Sequence, residues 1–164
     1  ARDRMSETFA GDTPASRHNT NKNHTFESSQ IILFAYNPDY NKNDFEKVVD
    51  KYIQDKRIDK KDKEKAFNIF AFAQGLKDAN IIENWAKSQT YIVLGNVLHT
   101  LSRLKIDSTP MEGINTSLIN SIFKTELGKF KCCFGLAIGY RDDDDFNAKL
   151  VKSRLILDDV LKVL

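Results

Sequence analysis

The chain has 164 residues, a length that fits one domain with a substantial hydrophobic core. Its 25 basic and 23 acidic side chains leave a net charge of +2, far below the basic excess that nucleic-acid binding requires. Its longest apolar run, residues 132–138, is much shorter than the ~20 residues that span a bilayer, so we expect neither nucleic-acid nor membrane binding.

The N-terminal segment is predicted to lie outside the core. Residues 1–10 have the pattern of the end of a helix, which Gly11 would close. Residues 11–23 include Pro14 and no apolar side chain larger than Ala, and this composition predicts an exposed, mobile loop.

A strand and two helices are predicted next. Residues 31–36 (IILFAY) form a continuous apolar run, which is typical of a central strand buried on both faces. Apolar residues at helical spacing predict amphipathic helices over residues 43–54 and 59–76, the second with Asp59 as its N-cap. The alternating charges at the start of the second helix favour a solvated face over a phosphate-binding patch.

The longest helical pattern covers residues 83–104. Its apolar stripe is broad and predicts burial on more than one side, as in a helix at the centre of a dimer. Gly95 lowers helix propensity, which is understandable if another backbone approaches closely there. His99 lies among the apolar residues without a second ligand at helical spacing, so we expect a structural role and no metal.

Residues 106–114 contain Pro110 and Gly113, which restrict and free the backbone within three residues. Such a loop can present main-chain N–H groups to a flat ligand. The alternative is an ordinary connection to the next element, with Asn115 capping a short helix.

The two cysteines, Cys132 and Cys133, lie inside the apolar run and within a predicted strand over residues 132–140. Neighbouring strand side chains point to opposite faces, so we expect two buried thiols, with a vicinal disulfide or metal pair as the alternative. Buried thiols and the absence of a recognisable signal peptide favour the cytoplasm.

The last part of the chain is rich in charge. Lys152 and Arg154 are two residues apart, so in extended chain they face the same way and are suited to clamp a phosphate. A solvated tail is the alternative. Residues 142–145 are four consecutive Asp, which predict a solvated turn, since carboxylates that diverge in a loop do not form a metal site.

Several short motifs occur in the order and approximate spacing of a known family. They are WAKSQTY (85–91), LGN (94–96), DSTPMEG (107–113), AIGY (137–140), FNA (146–148) and KSR (152–154). On these motifs the chain resembles the nitroreductase family from about Asn21 to its C-terminus. The branch it resembles contains the oxygen-insensitive nitroreductases and the major flavin reductase of luminous bacteria.

The resemblance implies an α+β fold and an FMN site. The fold is a mostly antiparallel sheet surrounded by helices, with a long central dimer helix and a C-terminal arm, residues 141–164, exchanged between subunits. The cofactor-binding positions it implies are Asn21, Pro110, Met111, Glu112, Gly113, Lys152 and Arg154. The loop lies against the flavin ring with the backbone N–H of Glu112 near N5, the basic pair holds the phosphate, and Asn21 bonds the pyrimidine edge.

The resemblance also implies where this chain departs from the family. A family lysine near the pyrimidine edge is His24 here, and the ring that covers the substrate side is Phe72, or Phe70 as the alternative. The family's N-terminal phosphate motif and Ser-rich loop have no counterpart before the matched region. We therefore expect residues 1–164 to be a single domain that is N-terminally incomplete.

The activity implied is hydride transfer from NAD(P)H through FMN, in a ping-pong order, to a flat acceptor such as a nitroaromatic, a quinone or a free flavin. FMN carries the hydride, so no catalytic side chain and no metal are expected, and the enzyme is expected to be a homodimer. Two other hypotheses remain: a flavin-binding protein without turnover, and a dimeric helical interaction module built on residues 83–104.

Overall fold

Helices and one antiparallel sheet alternate along the chain in a computed structural model that describes residues 4–5 and 20–163, with side chains at all of these positions except 20–23 and 146. The helices are α1 (Thr20–Glu27), α2 (Lys42–Gln54), α3 (Lys63–Ala66), α4 (Phe70–Asp78), α5 (Ile82–Arg103), α6 (Thr116–Ile122), α7 (Lys124–Leu127) and α8 (Leu157–Val160). The strands are β1 (Gln30–Tyr36), β2 (Asp107–Met111) and β3 (Lys131–Gly139).

The strands form one sheet in the order β1-β3-β2, and both pairs are antiparallel. The predicted mixture of helices with an antiparallel sheet is therefore confirmed. The prediction that residues 31–36 form the central strand was wrong, because β1 lies at an edge of this sheet and leaves Ile32 36% exposed. The central strand is β3, which is buried from Cys132 to Ala137.

A β-bulge separates the two cysteines. Phe34 pairs with Phe134 and the next residue, Ala35, pairs with Cys132, so Cys133 is the extra residue of β3. Cys132 packs on the face of the sheet that α6 covers, and Cys133 packs with Phe134 on the face that α5 covers. Both thiols are free and buried, as predicted.

Helix α5 is the longest helix and follows its prediction to within one residue at each end. Its inward residues, including Leu94, Val97, Leu98 and Leu101, pack on the stacked rings of Phe34 and Phe134, whose centroids are 4.7 Å apart. Within the described residues, no helix is long and apolar enough to cross a membrane. The cytoplasmic location and the single-domain boundary both remain predictions.

The predicted helix over residues 59–76 is broken into short pieces. Two 3₁₀ turns, Lys60–Asp62 and Phe67–Ile69, precede α3 and α4, and Asp59 makes no side-chain cap hydrogen bond. The second turn has a packing reason, since residues three apart in a 3₁₀ turn eclipse each other. Phe67 and Phe70 both reach the ring of Phe45 on α2, at centroid distances of 5.9 and 5.7 Å.

Two predicted loops contain regular structure. The predictions over residues 1–19 lie outside the described residues apart from 4 and 5, but α1 begins at Thr20, so the loop predicted over residues 11–23 was wrong at its end. The predicted loop over residues 106–114 contains β2, whose sequence DSTPM hides a strand because only one residue is strongly apolar. An edge strand tolerates Pro110 because the missing N–H can face away from the partner strand. Asn115 caps α6 as predicted, accepting a 3.0 Å hydrogen bond from Leu118 N.

Candidate functional site

Strand β2 connects the two groups of residues that the sequence predicts to bind one ligand. Its first residues, Asp107 and Ser108, line a cleft that Lys152 and Arg154 also line. Its last residue, Met111, leads into the turn that contains Glu112 and Gly113. Four strand residues extend about 13 Å, so a basic cleft and an exposed turn are held a fixed distance apart on one edge of the sheet.

The cleft has a volume of about 710 Å³ and lies where the end of α5, the start of β2 and the C-terminal chain meet. Its lining residues are Ser102, Lys105, Ile106, Asp107, Ser108, Arg141, Lys152 and Arg154. Four of these eight residues are cations and one is an anion. The predicted phosphate pair, Lys152 and Arg154, is therefore brought together in an environment that attracts anions.

Lys105 and Arg141 are cleft cations that the sequence analysis missed. Lys105 ends α5 with a positive φ of 58°, and Ile106 N closes that helix end with a 3.0 Å hydrogen bond to Leu101 O. Arg141 lies two residues after the end of β3 and directly before the run of Asp, so it looked like part of a solvated turn. The sequence signals that could have identified them were the position of Lys105 just after the predicted long helix and that of Arg141 just after the predicted strand over residues 132–140.

Asp107 organises the charges of the cleft. Its carboxylate accepts two hydrogen bonds from Arg141, one of 2.6 Å from Nε and one of 2.8 Å from a terminal nitrogen. The Arg141 hydrogen bond holds the pKa of Asp107 below its ordinary value, and Lys152 adds to the effect. Asp107 therefore stays ionised at neutral pH and orients Arg141 in the lining of the cleft, while the positive charge of Lys152 stabilises the same carboxylate.

The turn at the other end of β2 is anchored by Met111. This side chain is 1% exposed, and a Cβ added at Gly135 would lie 3.3 Å from its Cε, so it points into the sheet and not toward a ligand. Pro110 and Glu112 are exposed on either side of it. Only the main chain and these two exposed residues can face a ligand at this turn.

Helix α1 is fastened to the same turn. Thr25 is fully buried, and its hydroxyl lies 4.0 Å from the sulfur of Met111. Residue 21 lies one helical turn before Thr25. His24, which directly precedes Thr25, is half-buried. The structure thus brings α1, with the positions of Asn21 and His24, to the end of β2; the side chain of Asn21 is outside what is described.

Glu112 has a partner that the sequence analysis did not find. The hydroxyl of Tyr91, on α5, donates a hydrogen bond to Oε1 of Glu112. The Tyr91 ring packs on Phe134 at a centroid distance of 4.8 Å. The hydrogen bond to Glu112 is the main cause of a strongly raised pKa for Tyr91, followed by burial, so the phenol remains protonated.

The two candidate substrate rings have different surroundings. Phe70 is half-buried and contacts Phe45 and Tyr40, at 5.7 and 6.5 Å between centroids. Phe72 is 62% exposed. Among the aromatic rings of the described residues, it contacts only that of Trp85, edge-on and at 6.1 Å between centroids. Phe72 is therefore the ring with a free face, although neither residue lines the basic cleft.

Helix α5 also has an exposed outward face, formed by Ser88, Ile92, Gly95 and His99. A Cβ added at Gly95 would meet nothing within 4 Å among the described residues, so none of these makes the close approach predicted there. His99 is exposed on this face, so the structural role predicted for it stays a prediction. No metal-binding group of His, Cys, Asp and Glu occurs in the described part of the chain.

The chain is similar in sequence to bacterial flavin and nitro reductases. It is 43% identical over 166 residues to the major NAD(P)H-flavin oxidoreductase of Aliivibrio fischeri, which covers 100% of this chain and 74% of that protein. It is 26% identical over 153 residues to an oxygen-insensitive NAD(P)H nitroreductase of Salmonella typhimurium, which covers 90% of this chain and 69% of that protein. No protein-family model matches it.

Solved structures share the fold. A protein of Exiguobacterium sibiricum, assigned as a nitroreductase and solved in complex with FMN, superposes with a TM-score of 0.75 at 15% identity, covering 99% of this chain and 71% of the other. A nitroreductase family protein of Streptococcus pneumoniae gives 0.69 at 14% identity, covering 100% and 76%. At such identities the likeness establishes the fold and no more.

Proposed function

Because this chain belongs to the nitroreductase family, which includes NAD(P)H-flavin oxidoreductases, we propose that its basic cleft and the turn after β2 form one FMN site. The chain is an NAD(P)H-dependent oxidoreductase with FMN as its cofactor. The observation that carries the placement of the cofactor is the position of β2, which joins four cleft cations to the exposed turn at Glu112.

The residues of the cleft suit a phosphate monoester. Lys152 and Arg154 supply an ammonium and a guanidinium from one extended segment, and charge-assisted hydrogen bonds of this kind are the strong ones. Arg141 is held by Asp107 in the lining of the cleft and adds positive charge there. The pair binds the phosphate, and Arg141 raises the local concentration of anions.

The residues at the turn suit the edge of a flat ring. Met111 is buried, so the main chain of Pro110, Glu112 and Gly113 is left to face the ring, with the N–H of Glu112 toward N5. Asn21 bonds the pyrimidine edge from α1, and His24 stands beside it where the family has a lysine.

When bound, FMN supplies the hydride chemistry, and the protein supplies orientation and charge. The open face of the turn admits NAD(P)H and then the acceptor, in a ping-pong order. Phe72, whose ring is exposed, covers flat acceptors such as nitroaromatics, quinones or free flavins. No side-chain acid or base is required.

A homodimer completes the proposal. The outward face of α5 leaves Ile92 62% exposed, and the C-terminal chain leaves Leu155, Ile156 and Val160 between 64% and 72% exposed. Surfaces of this kind mark sites of protein association. The α5 face is proposed to pack on a second copy, with the arm reaching across to the partner subunit.

The test is an absorbance spectrum of the purified full-length protein, followed by anaerobic addition of NADH or NADPH. Flavin bands that bleach, and that return when a nitroaromatic or quinone is added, would support the proposal. Bound flavin that NAD(P)H does not bleach would leave a flavin-binding protein without turnover. A protein that stays colourless after incubation with FMN would contradict the cofactor site and favour the helical interaction module.

A further inference from the structure

The contact between Tyr91 and Glu112 joins the longest helix to the turn at the end of β2. Tyr91 reaches this turn because its ring packs on Phe134, which is fully buried and stacked on Phe34. One face of the ring is thus held against the centre of the sheet, while Tyr91 as a whole is 39% exposed and its hydroxyl extends to the exposed carboxylate of Glu112. A donor held this way loses little further freedom when it bonds, so the contact is well suited to fix its partner.

Three separate interactions determine how Glu112 is placed. The residue before it, Met111, is buried against Gly135. The main-chain carbonyl of Glu112 accepts a 2.8 Å hydrogen bond from Ile114 N. These two interactions fix the main chain on either side of Glu112 but leave its side chain undirected. The Tyr91 hydroxyl supplies that direction and pulls the carboxylate toward α5.

The direction of the carboxylate has a chemical consequence at a flavin. A reduced flavin carries negative charge, so a carboxylate free to swing toward the ring would oppose reduction. A hydrogen bond from a neutral phenol both restrains the carboxylate and offsets part of its charge.

We propose that Tyr91 is a positioning residue for the cofactor, which holds the Glu112 carboxylate away from the flavin while the Glu112 main-chain N–H faces N5. The proposal rests on the proposed function, since it requires that the ring lie at this turn. Tyr91 touches no reacting atom, and its effect passes through Glu112.

The test compares Tyr91→Phe with Tyr36→Phe in the full-length protein. Tyr36 is a matched control because its hydroxyl also donates to a carboxylate across the interface of α5 and the sheet, 2.8 Å from Glu83 Oε1, but at the start of the helix, about two turns before Tyr91. Phenylalanine keeps the packing of either ring, so both variants are expected to fold. FMN affinity is measured by fluorescence titration of the apoprotein, and the midpoint potential of the bound flavin by reductive titration.

We expect Tyr91→Phe to weaken FMN binding about fivefold, which is modest for a hydrogen bond to a charged group because the pair is partly exposed. The freed carboxylate should make reduction about fivefold less favourable, which is about 20 mV more negative for a two-electron couple. Tyr36→Phe should change neither quantity. If Tyr91 only stabilised the fold, Tyr91→Phe would lower thermal stability, as Tyr36→Phe would, and would leave the midpoint potential of the flavin unchanged.

The route through Glu112 is tested in a double-mutant cycle with Glu112→Ala. If Tyr91 acts through this carboxylate, Tyr91→Phe has no further effect on affinity or potential once Glu112 is alanine. An undiminished effect in that background, or equal behaviour of Tyr91→Phe and Tyr36→Phe, would overturn the inference while leaving the proposed function intact. Wild-type protein that binds no FMN would overturn both.

Discussion

The body of the chain, residues 20–139, and the arm, residues 141–164, differ in how they are stabilised. The body contains the sheet and both hydrophobic clusters apart from Met5, which joins one of them, and its central strand is buried from Cys132 to Ala137. In the arm, every residue from 149 to 163 is exposed, with Val151 at 95% and Val163 at 92%. The body can therefore be stable by its own packing, whereas the arm needs a partner or a ligand to cover its apolar side chains.

The cleft lies where these two regions meet. Asp107 and Lys105 come from the body, whereas Arg141, Lys152 and Arg154 come from the arm. Binding an anion between them has to order the arm against the body, so cofactor affinity depends on both regions while folding of the body does not. Changes in the arm and changes in the body should therefore differ in their effects on cofactor affinity and on folding.

Removing the arm should have the largest effect. Deletion of residues 141–164 takes away three of the four cleft cations, and we expect FMN affinity to fall by about a thousandfold or more, since each charge-assisted bond contributes about 1.5–3 kcal/mol. Dimerisation should also be lost, while the body stays folded. Fluorescence titration, light scattering and circular dichroism measure the three outcomes.

The control is deletion of residues 155–164 alone, which keeps all four cations. It should weaken dimerisation but retain measurable FMN binding. Tight FMN binding by the longer deletion would show that the cleft is not the phosphate site.

Single cations of the arm should have the next largest effect. Lys152→Ala or Arg154→Ala should each weaken FMN binding about 30-fold, with a loss that shrinks as salt is added, because a charged hydrogen bond to phosphate is removed. Lys149→Ala is the matched control, since Lys149 is exposed in the same segment but does not line the cleft. Equal losses in all three variants would indicate a general charge effect instead of a site.

A change confined to the body should alter stability and leave FMN affinity unchanged. The Asp44 side chain is 12% exposed; it accepts a 2.8 Å hydrogen bond from Asn37, a capping-box bond from Asn41 N, and a bond from Lys129. We expect Asp44→Ala to lower the free energy of unfolding by about 2 kcal/mol. Asp50→Ala breaks the ion pair with Lys63, in which the Asp50 side chain is 55% exposed, and should lower the free energy of unfolding by about 0.5 kcal/mol. Urea titration compares the two.

The same carboxylate predicts a pH dependence. Burial by itself would raise the pKa of Asp44, but the bonds from Lys129, Asn41 and Asn37 outweigh it and lower the pKa. A carboxyl whose pKa is lowered on folding stabilises the protein above its unfolded pKa of about 3.9, and this stabilisation is lost as pH falls through the folded value. Wild-type protein should therefore lose more stability than Asp44→Ala as the pH falls below about 4. Parallel curves for the two would disprove this assignment.

The smallest effect should come from two glycines in helices. No atom of residues 4–5 or 20–163 lies within 4 Å of a Cβ added at Gly75 or at Gly95, so in an isolated chain either alanine should stabilise its helix by about 1 kcal/mol. If the outward face of α5 packs on a second copy, Gly95→Ala should stabilise less than Gly75→Ala and should raise the dimer dissociation constant. Thermal unfolding at several protein concentrations tests this, and identical gains would argue against a dimer contact at Gly95.

Local sequence patterns predicted the individual helices and strands better than they predicted the order of the strands in the sheet. Helix α5 and strand β3 were predicted to within one residue, because long periodic or continuous apolar runs are unambiguous. Which strand is central depends on pairing between distant segments, so β1 was misplaced. β2 was missed because its five residues look like a loop, and α1 because its anchor is a single buried threonine.

The candidate site was predictable where spacing carried the information. The two-residue interval of Lys152 and Arg154 indicated a shared direction, and the structure places both in the cleft. Lys105 and Arg141 were missed because cations beside turns usually face solvent. The Tyr91–Glu112 contact spans 21 residues and begins at a ring that helical spacing assigns to the core, so no local signal distinguishes its hydroxyl.

The β-bulge in β3 has a consequence for chemical durability. The bulge places Cys133 on the same face as Phe134 and leaves Cys132 on the opposite face, so the two thiols cannot easily close a vicinal disulfide, and burial raises the pKa of Cys132 to about 11. At neutral pH only about one Cys132 in ten thousand is then the reactive thiolate. An enzyme proposed to process quinones, which alkylate thiolates, thereby keeps this sulfur in a form that its own substrates and products attack slowly.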